Sequence, residues 1–238
     1  MKLNIPTDGT KIGHDGDNLV VPNNPIIPYI IGDGIGIDVT PVMKRVLDYA
    51  VNKAYGNTRE IKWLELYAGS NSKELYGSIL PEETIEAMKE YRISIKGPLT
   101  TPIGKGHKSI NVQIRQKLDL FACVRPIKYF PGTSTPMAES GLTDMVVFRE
   151  NTEDLYSGIE WEPNSPGAKR IIDFINKELG HSPFRFEDNC GIGIKPVSEE
   201  GTKRLIRMAI DYSLALNKSS ITVVHKGNIM KYTEGAFR

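Results

Sequence analysis

Cysteine is scarce in this 238-residue chain: Cys123 and Cys190 stand far apart, with no CxxC between or around them. That excludes a disulfide scaffold and a zinc-finger framework, and it fits a reducing cytoplasm. Histidine is nearly as thin. His14, His107, His181 and His225 never fall at metal-ligand spacing and HExxH is absent, which argues against a zinc hydrolase. Charge of one sign is missing too. Thirty Lys+Arg face 29 Asp+Glu, a net charge of +1, so no global field recruits nucleic acid or an anionic membrane. Any anion site must be built locally. Long apolar runs are also lacking: Ile26–Ile31 is broken by Pro28 and falls far short of the ~18 residues that span a bilayer. The opening MKLNIPTDGTKIGHDGDNLVVP has no apolar stretch resembling a secretory signal. There is no internal repeat and no GxxxxGK[ST]. Gly34-Ile-Gly36 and Gly191-Ile-Gly193 each lack the third glycine of a dinucleotide-binding fingerprint. Gly34 and Gly36 read instead as a tight strand-to-helix turn needing positive φ.

What is present is the composition of an ordinary globular protein, 39% hydrophobic and 25% charged, long enough for one to two domains at about 150 residues each. Residues 12–21 read as a peripheral hairpin. Strands are expected at Ile26–Ile31, Ile61–Tyr67, Ile93–Ile95 and Leu120–Val124, the last as a buried run. Helices are expected between them: from Thr40 (N-cap, with Pro41 at the first helical position) to Lys53, over Pro81–Tyr91 with Ile85 and Met88 inward, and over Ser109–Leu118. This alternation predicts an α/β fold with a largely parallel sheet. The Pro-, Gly- and Ser/Thr-rich stretch Pro126–Thr143 reads as a crossover between domains. Further strands are expected at Met145–Phe148, Tyr156–Trp161, Phe184–Phe186, Ile192–Ile194 and Ile221–Val224. Helices are expected at Ser165–Leu179, at Ser198–Asn217 with Leu205, Ala209, Tyr212 and Leu216 inward, and from Asn228.

The chemistry concentrates between Lys96 and Arg149. Arg115 falls on a helix, one to two turns from Ser109 and Asn111, while Arg125 and Arg149 each follow an apolar strand. In open α/β sheets, ligands bind beyond the carboxyl ends of strands, and guanidinium forks suit carboxylates. Ser109 and Asn111 add small donors at a helix start. The set describes a pocket for a small polycarboxylate, although a single arginine at a strand end is more often a surface ion pair. Lys226, after Ile221–Val224, reads equally as a solvated cap or as a catalytic amine. Tyr156 reads as packing or as an acid.

These residues lie in segments that are themselves informative: NPIIPYIIGDGIGIDVTP, IKGPLTTPIG, SINVQIRQKLDL, VRP, TDMVVFRENTEDLYSGIEW, GIGIKPVSEEGTKR and VHKGNIMKYTEGAF. Together they resemble the bacterial-type NADP-dependent isocitrate dehydrogenases, within the β-decarboxylating dehydrogenases. The match runs in order from about Asn24 onward. The resemblance implies a two-domain α/β fold distinct from Rossmann, with 1–120 in the large domain and 121–238 in the small domain. It also implies a homodimer interlocked through a clasp at about Leu155–Lys195. It assigns Ser109, Asn111, Arg115, Arg125 and Arg149 to isocitrate, and Tyr156 with Lys226 to catalysis, Lys226 entering from the partner subunit. Thr100, Thr101 and Asn228 would lie near the nicotinamide of NADP. Mg²⁺ or Mn²⁺ would chelate the substrate hydroxyl, with ligands in a part of the family pattern beyond Arg238. Ser109 matches a serine that a regulatory kinase phosphorylates in some relatives.

The family pattern continues well past Arg238, carrying the metal-binding aspartates and most cofactor contacts, including those that choose NADP over NAD. The resemblance therefore leads one to expect an intact polypeptide heavier than 26.5 kDa and apolar surface without its cover. Two alternatives stand beside it. One is a non-catalytic chain serving only as a binding or subunit-pairing module. The other is a related enzyme acting on isopropylmalate or tartrate, against which the Ser109-x-Asn111 pair argues.

Overall fold

The computed structural model describes residues 2–16, 18–100, 109–181 and 183–237. The chain divides into two compact units, Met1–Leu118 and Asp119–Arg238.

The first unit opens with the expected hairpin, β1 (Gly13–Asp15) against β2 (Asn18–Val20). Its core is a parallel three-stranded sheet in the order β4-β3-β5, built from β3 (Ile26–Ile30), β4 (Lys62–Leu66) and β5 (Ile95–Lys96). All five residues of β3 are buried, as a central strand requires. Pro28 survives there because of register. The backbone of Ile26 turns to Thr10 and that of Ile30 to Gly97, both away from β4. Pro28 shares that side at a level where β5 has not yet begun, so its missing N–H deprives no partner.

Side-chain alternation then sorts the two faces. Leu64 and Leu66 join Ile26 and Ile30 in one core with Ile85, Met88 and Tyr91 of α3 (Glu82–Tyr91) and Ile110 and Ile114 of α4 (Ile110–Lys117). Glu65 and Trp63 pair with Tyr29 and Ile27 on the other face, under α1 (Gly36–Tyr55). Lys44 of α1 lies 3.9 Å from the Tyr29 ring centroid, and Asp48 accepts the Trp63 indole N–H at 2.8 Å. The apolar stripe Ile35, Val39, Val42, Val46 and Tyr49 of the same helix is exposed.

The start of α1 differs from the sequence reading. It begins a turn before Thr40, because the Asp33 carbonyl accepts from Gly36 and the Ile35 carbonyl from Asp38 and Val39. Thr40 is buried and its hydroxyl donates to the Ile31 carbonyl at 2.7 Å, so it ties the helix to the sheet instead of capping it. Gly34 does turn with φ +54°, whereas Gly36 is simply the first helical residue. A short helix, α2 (Ser70–Tyr76), follows β4 without having been foreseen.

Asp33 organises the carboxyl edge of this sheet. Its backbone N–H donates to Pro98 beyond β5 at 2.6 Å. Its carboxylate accepts the Ser70 N–H beyond β4 and the Thr100 N–H beyond β5, both at 2.8 Å. Gly69 has φ +85°, and a Cβ there would stand 2.5 Å from both Asp33 oxygens, so only glycine fits.

The second unit is antiparallel among the described residues, so the parallel sheet expected from the strand–helix alternation is confined to the first unit. β6 (Ala122–Lys128) pairs along its whole length with β7 (Asp144–Glu150). Pro126–Thr143 is therefore the end of one strand and a hairpin connection, not a crossover between domains. A two-stranded ribbon has one face to spare, so the expected buried run at Leu120–Val124 is partly exposed. α6 (Glu199–Ala215) covers β7, with Phe148 and Tyr212 edge-to-face at 5.4 Å. Ser198 caps it, accepting from Gly201 at 2.9 Å, and Leu205 and Ala209 are buried while Leu216 is exposed. α5 (Pro166–Lys177) is capped by Ser165. It lies in sequence between β8 (Ile159–Trp161) and β9 (Ile192–Ile194), which pair antiparallel. Phe184–Phe186 and Ile221–Val224 form no strands, having no ladder partner among the described residues. The last turn is α7 (Glu234–Phe237). Among the described residues no helix is long and apolar enough to cross a membrane.

Two outcomes follow from the first unit. Asp33→Ala leaves two amides without an acceptor, a loss of about 2–4 kcal/mol, measurable as a lower urea midpoint at unchanged m-value. Asp33→Asn, which keeps one acceptor oxygen, should lose less. Burial, then Glu65, pushes the Tyr29 hydroxyl up to about 12. A raised folded-state pKa contributes stability that is complete below the unfolded value near ~10 and is lost as pH rises through the folded one. Alkaline titration followed by tyrosine absorbance should show Tyr29 ionising late, with stability falling between pH ~10 and ~12, and Tyr29→Phe should flatten that fall.

Candidate active site

Each unit carries its own part of the predicted set. In the first, Ser109 occupies the N-cap position of α4 with extended ψ, though its side chain does not cap the helix. Asn111 and Arg115 follow on one face of α4, four residues apart and both half-buried. The Asn111 amide donates to the Leu99 carbonyl at 3.5 Å, and its Oδ1 is buried with no hydrogen-bond partner among the described residues. A buried acceptor of that kind costs about 1–3 kcal/mol unless a donor meets it.

Lys96 is a residue that sequence reasoning passed over. It is exposed as a whole, but its ammonium turns back to the Gly97 carbonyl at 2.7 Å. Burial of that end, then the nearby charge of Arg115, lowers its pKa, with Asp33 opposing. Two cations held close repel each other, and an anion beside them relieves that repulsion. The rule that singled out Arg149, a cation just after an apolar strand, would have found Lys96 too. Thr100 is exposed, its backbone pinned by Asp33. Thr101, with Lys105, His107 and Lys108, lies outside the described residues.

In the second unit, Arg125 and Arg149 do not stand at the carboxyl ends of parallel strands as the spacing suggested. They lie within the β6–β7 hairpin, where Arg125 opposes Val147 and Arg149 opposes Cys123. That register puts both arginines on one face, as diagonal neighbours about 7–8 Å apart, with their Cβ atoms somewhat closer. Such a spacing suits two carboxylates of one small molecule.

Tyr156 sits in the short 3₁₀ turn Asp154–Ser157. The Arg149 guanidinium lies over its ring, 4.6 Å from the centroid. Both line a cavity of about 290 Å³, together with Phe148, Glu153, Asp154 and Glu234. Arg125 does not line it. The turn is well anchored: Asp154 donates its N–H to Pro196 at 2.9 Å, and Glu153 accepts the Ser198 N–H at 2.8 Å. Lys226 and Asn228 have exposed side chains outside the cavity, but the Lys226 N–H donates to Glu234, which lines it. The structure thus brings Arg149 and Tyr156 together and ties the Lys226 backbone to the same wall. Both cysteines are free. Among the described residues no group of three or more His, Cys, Asp or Glu could hold a metal ion.

Comparison with known proteins accords with these features. Residues 26–238 match the family model described as isocitrate/isopropylmalate dehydrogenase. The chain is 57% identical to "Isocitrate dehydrogenase [NADP] 1" of Colwellia maris, over all of its own length and 58% of that protein's. It is 53% identical to "Isocitrate dehydrogenase [NADP]" of Pseudomonas aeruginosa, again over its whole length and 57% of the relative's. It also resembles the crystal structure of isocitrate dehydrogenase from Methylococcus capsulatus, with a TM-score of 0.70 and 35% identity, covering 89% of this chain and 54% of that one. The chain thus spans a little over half the length of the relatives it matches, and it belongs to the isocitrate/isopropylmalate dehydrogenase family.

Proposed function

We propose that the polypeptide carrying these residues is an NADP-dependent isocitrate dehydrogenase. It would convert isocitrate to 2-oxoglutarate and CO₂ in the tricarboxylic acid cycle, as a cytoplasmic homodimer. The names of the relatives support the substrate and cofactor. The single observation that carries the reading within the chain is the Arg149 fork lying 4.6 Å from the Tyr156 ring inside a cavity. A carboxylate-binding group and a phenolic proton donor stand side by side there.

On this reading Arg115, Arg125 and Arg149 neutralise the substrate carboxylates, and the Asn111 amide with the Ser109 hydroxyl holds the one that malate-like substrates lack. Lys226, from the partner subunit, accepts the proton of the substrate hydroxyl. NADP⁺, when bound, would supply the acceptor for the hydride on the hydroxyl-bearing carbon, which becomes a ketone. Thr100 and Asn228 meet its nicotinamide end, and Thr101 is assigned there by resemblance alone. Loss of CO₂ then leaves an enolate, to whose carbon Tyr156 delivers a proton. Mg²⁺ or Mn²⁺ belongs to the proposed reaction, but among the described residues no group of three or more His, Cys, Asp or Glu fits such an ion. A kinase that phosphorylates Ser109 would switch the site off, since a phosphate at the start of α4 repels the carboxylate and fills its place.

The test is an assay of the intact polypeptide with isocitrate, NADP⁺ and Mn²⁺. Reduction of NADP⁺ is expected, and Lys226→Met should lower kcat by about 10²–10⁴. Isopropylmalate turned over faster than isocitrate would overturn the assignment. Arg149→Gln should raise the KM for isocitrate about 10–100-fold, the equivalent of one charge-assisted contact. Ser109→Asp should abolish isocitrate binding while Ser109→Ala retains it, as calorimetry would show.

A further inference from the structure

Among the described residues, little holds the stretch that carries Lys226. Between Ser219 and Thr233 there is no helix or strand, and Ile221, Val223 and Val224 are exposed. A proton acceptor on such a segment needs its position set by something else, because a displacement of about 1 Å costs on the order of 10²-fold in rate.

Lys195, the residue after β9, supplies the link. Its ammonium pairs with Asp154 Oδ1 at 3.2 Å and with Glu234 Oε1 in a shorter contact. The lysine and glutamate side chains are only 22% and 17% exposed, and Asp154 is 36% exposed, whereas among the described residues the ion pairs of this unit that do not involve Lys195 have carboxylates at least half exposed. Glu234 then uses its second oxygen to accept the Lys226 backbone N–H at 3.1 Å. His225 Nδ1 accepts from Gly227 at 3.2 Å, so the backbone on either side of Lys226 is bonded. At the other end, Asp154 opens the turn on which Tyr156 sits, and its carboxylate also accepts the Leu155 N–H at 2.7 Å. One chain of contacts therefore runs from the Tyr156 turn through Asp154, Lys195 and Glu234 to the Lys226 amide.

We propose that Lys195 and Glu234 are positioning residues for Lys226: the ammonium fixes one carboxylate oxygen so that the other holds the Lys226 backbone in register with the Tyr156 turn. The functional meaning rests on the reading that Lys226 and Tyr156 move protons; the mechanical claim does not. The pairing also keeps the carboxylate charged. The Lys195 hydrogen bond first, then the Lys226 amide, lowers the Glu234 pKa from its ordinary value, while Glu234 first, and Asp154 after it, raises that of Lys195. In a dimer where Lys226 serves the partner's site, the same contacts would couple the proton acceptor of one site to the proton donor of the other.

The experiment compares Lys195→Met, Lys195→Arg, Glu234→Gln and Glu234→Ala in the intact polypeptide, with Lys218→Met as a control that removes a surface ion pair to Asp144 in the same unit. Two readouts are taken: amide hydrogen exchange of the peptide spanning 221–233, and kcat with KM for isocitrate. Lys195→Met should speed exchange at Lys226 and lower kcat about 10–100-fold while KM stays within about twofold. Lys195→Arg should recover most of both. Glu234→Gln, which retains an acceptor for the amide, should lose less than Glu234→Ala, and Lys218→Met should change neither readout. Exchange at 221–233 that is unaltered in both Lys195→Met and Glu234→Ala overturns the proposal, as does an unchanged kcat in a wild-type-active enzyme. A wild type inactive on isocitrate defeats the assignment of function, and the exchange data then still decide whether Lys195 and Glu234 hold the segment. If Lys195→Met does not fold, the contrast between Glu234→Gln and Glu234→Ala decides it.

Discussion

A single carboxylate holds the carboxyl edge of the first unit together. Parallel strands end together on one side, and each ends in backbone groups that no ladder bond satisfies. Asp33 collects them: its two oxygens take the Ser70 and Thr100 amides, and its own amide goes to Pro98. The loops after β3, β4 and β5 are thereby fixed relative to one another, and with them the Thr100 backbone and the start of α1. The cost is conformational. The residue facing the carboxylate must be Gly69, because any side chain there would collide with Asp33.

The second unit solves a similar problem with antiparallel ribbons and, among the described residues, more ion pairs. Its sheets are two-stranded, so each leaves edges and a face that packing alone does not cover. Glu150 accepts three donors from Thr152 and Glu153, Glu153 clasps the start of α6, and Arg204 reaches back to Asp119 and Thr152 over the Phe121 ring. Glu150 and Glu153 also line the cavity beside Arg149, so the guanidinium shares that cavity with carboxylates already occupied with hydrogen bonds.

Much of this was legible from residue order. α3 and α4 were readable because Ile85, Met88, Ile110 and Ile114 repeat with helical period, and that period is a local property of the backbone. The same period brings Asn111 and Arg115 to one face. Thr40 and Pro41 misled because their pattern is that of a helix start, whereas the Thr40 hydroxyl donates to the Ile31 carbonyl, nine residues earlier and just past the end of β3. Arg125 and Arg149 were picked out by a rule for parallel strands. The structure brings them to one face through antiparallel register, a different cause. Ile221–Val224 has the composition of a strand but no partner among the described residues, and a strand exists only as a pair.

By itself, the order of residues determined the α/β character, the helices with strong apolar period, the helix starts at Ser165 and Ser198, and the residue types that suit a polycarboxylate. Each of these depends on neighbours within a few positions along the chain. Only the tertiary structure decided that Asp33 would tie three strand ends, that Arg149 would lie over Tyr156, and that Lys195 would bridge Asp154 to Glu234. Those contacts join positions distant in sequence, and their geometry follows from packing and strand register, which no local pattern encodes.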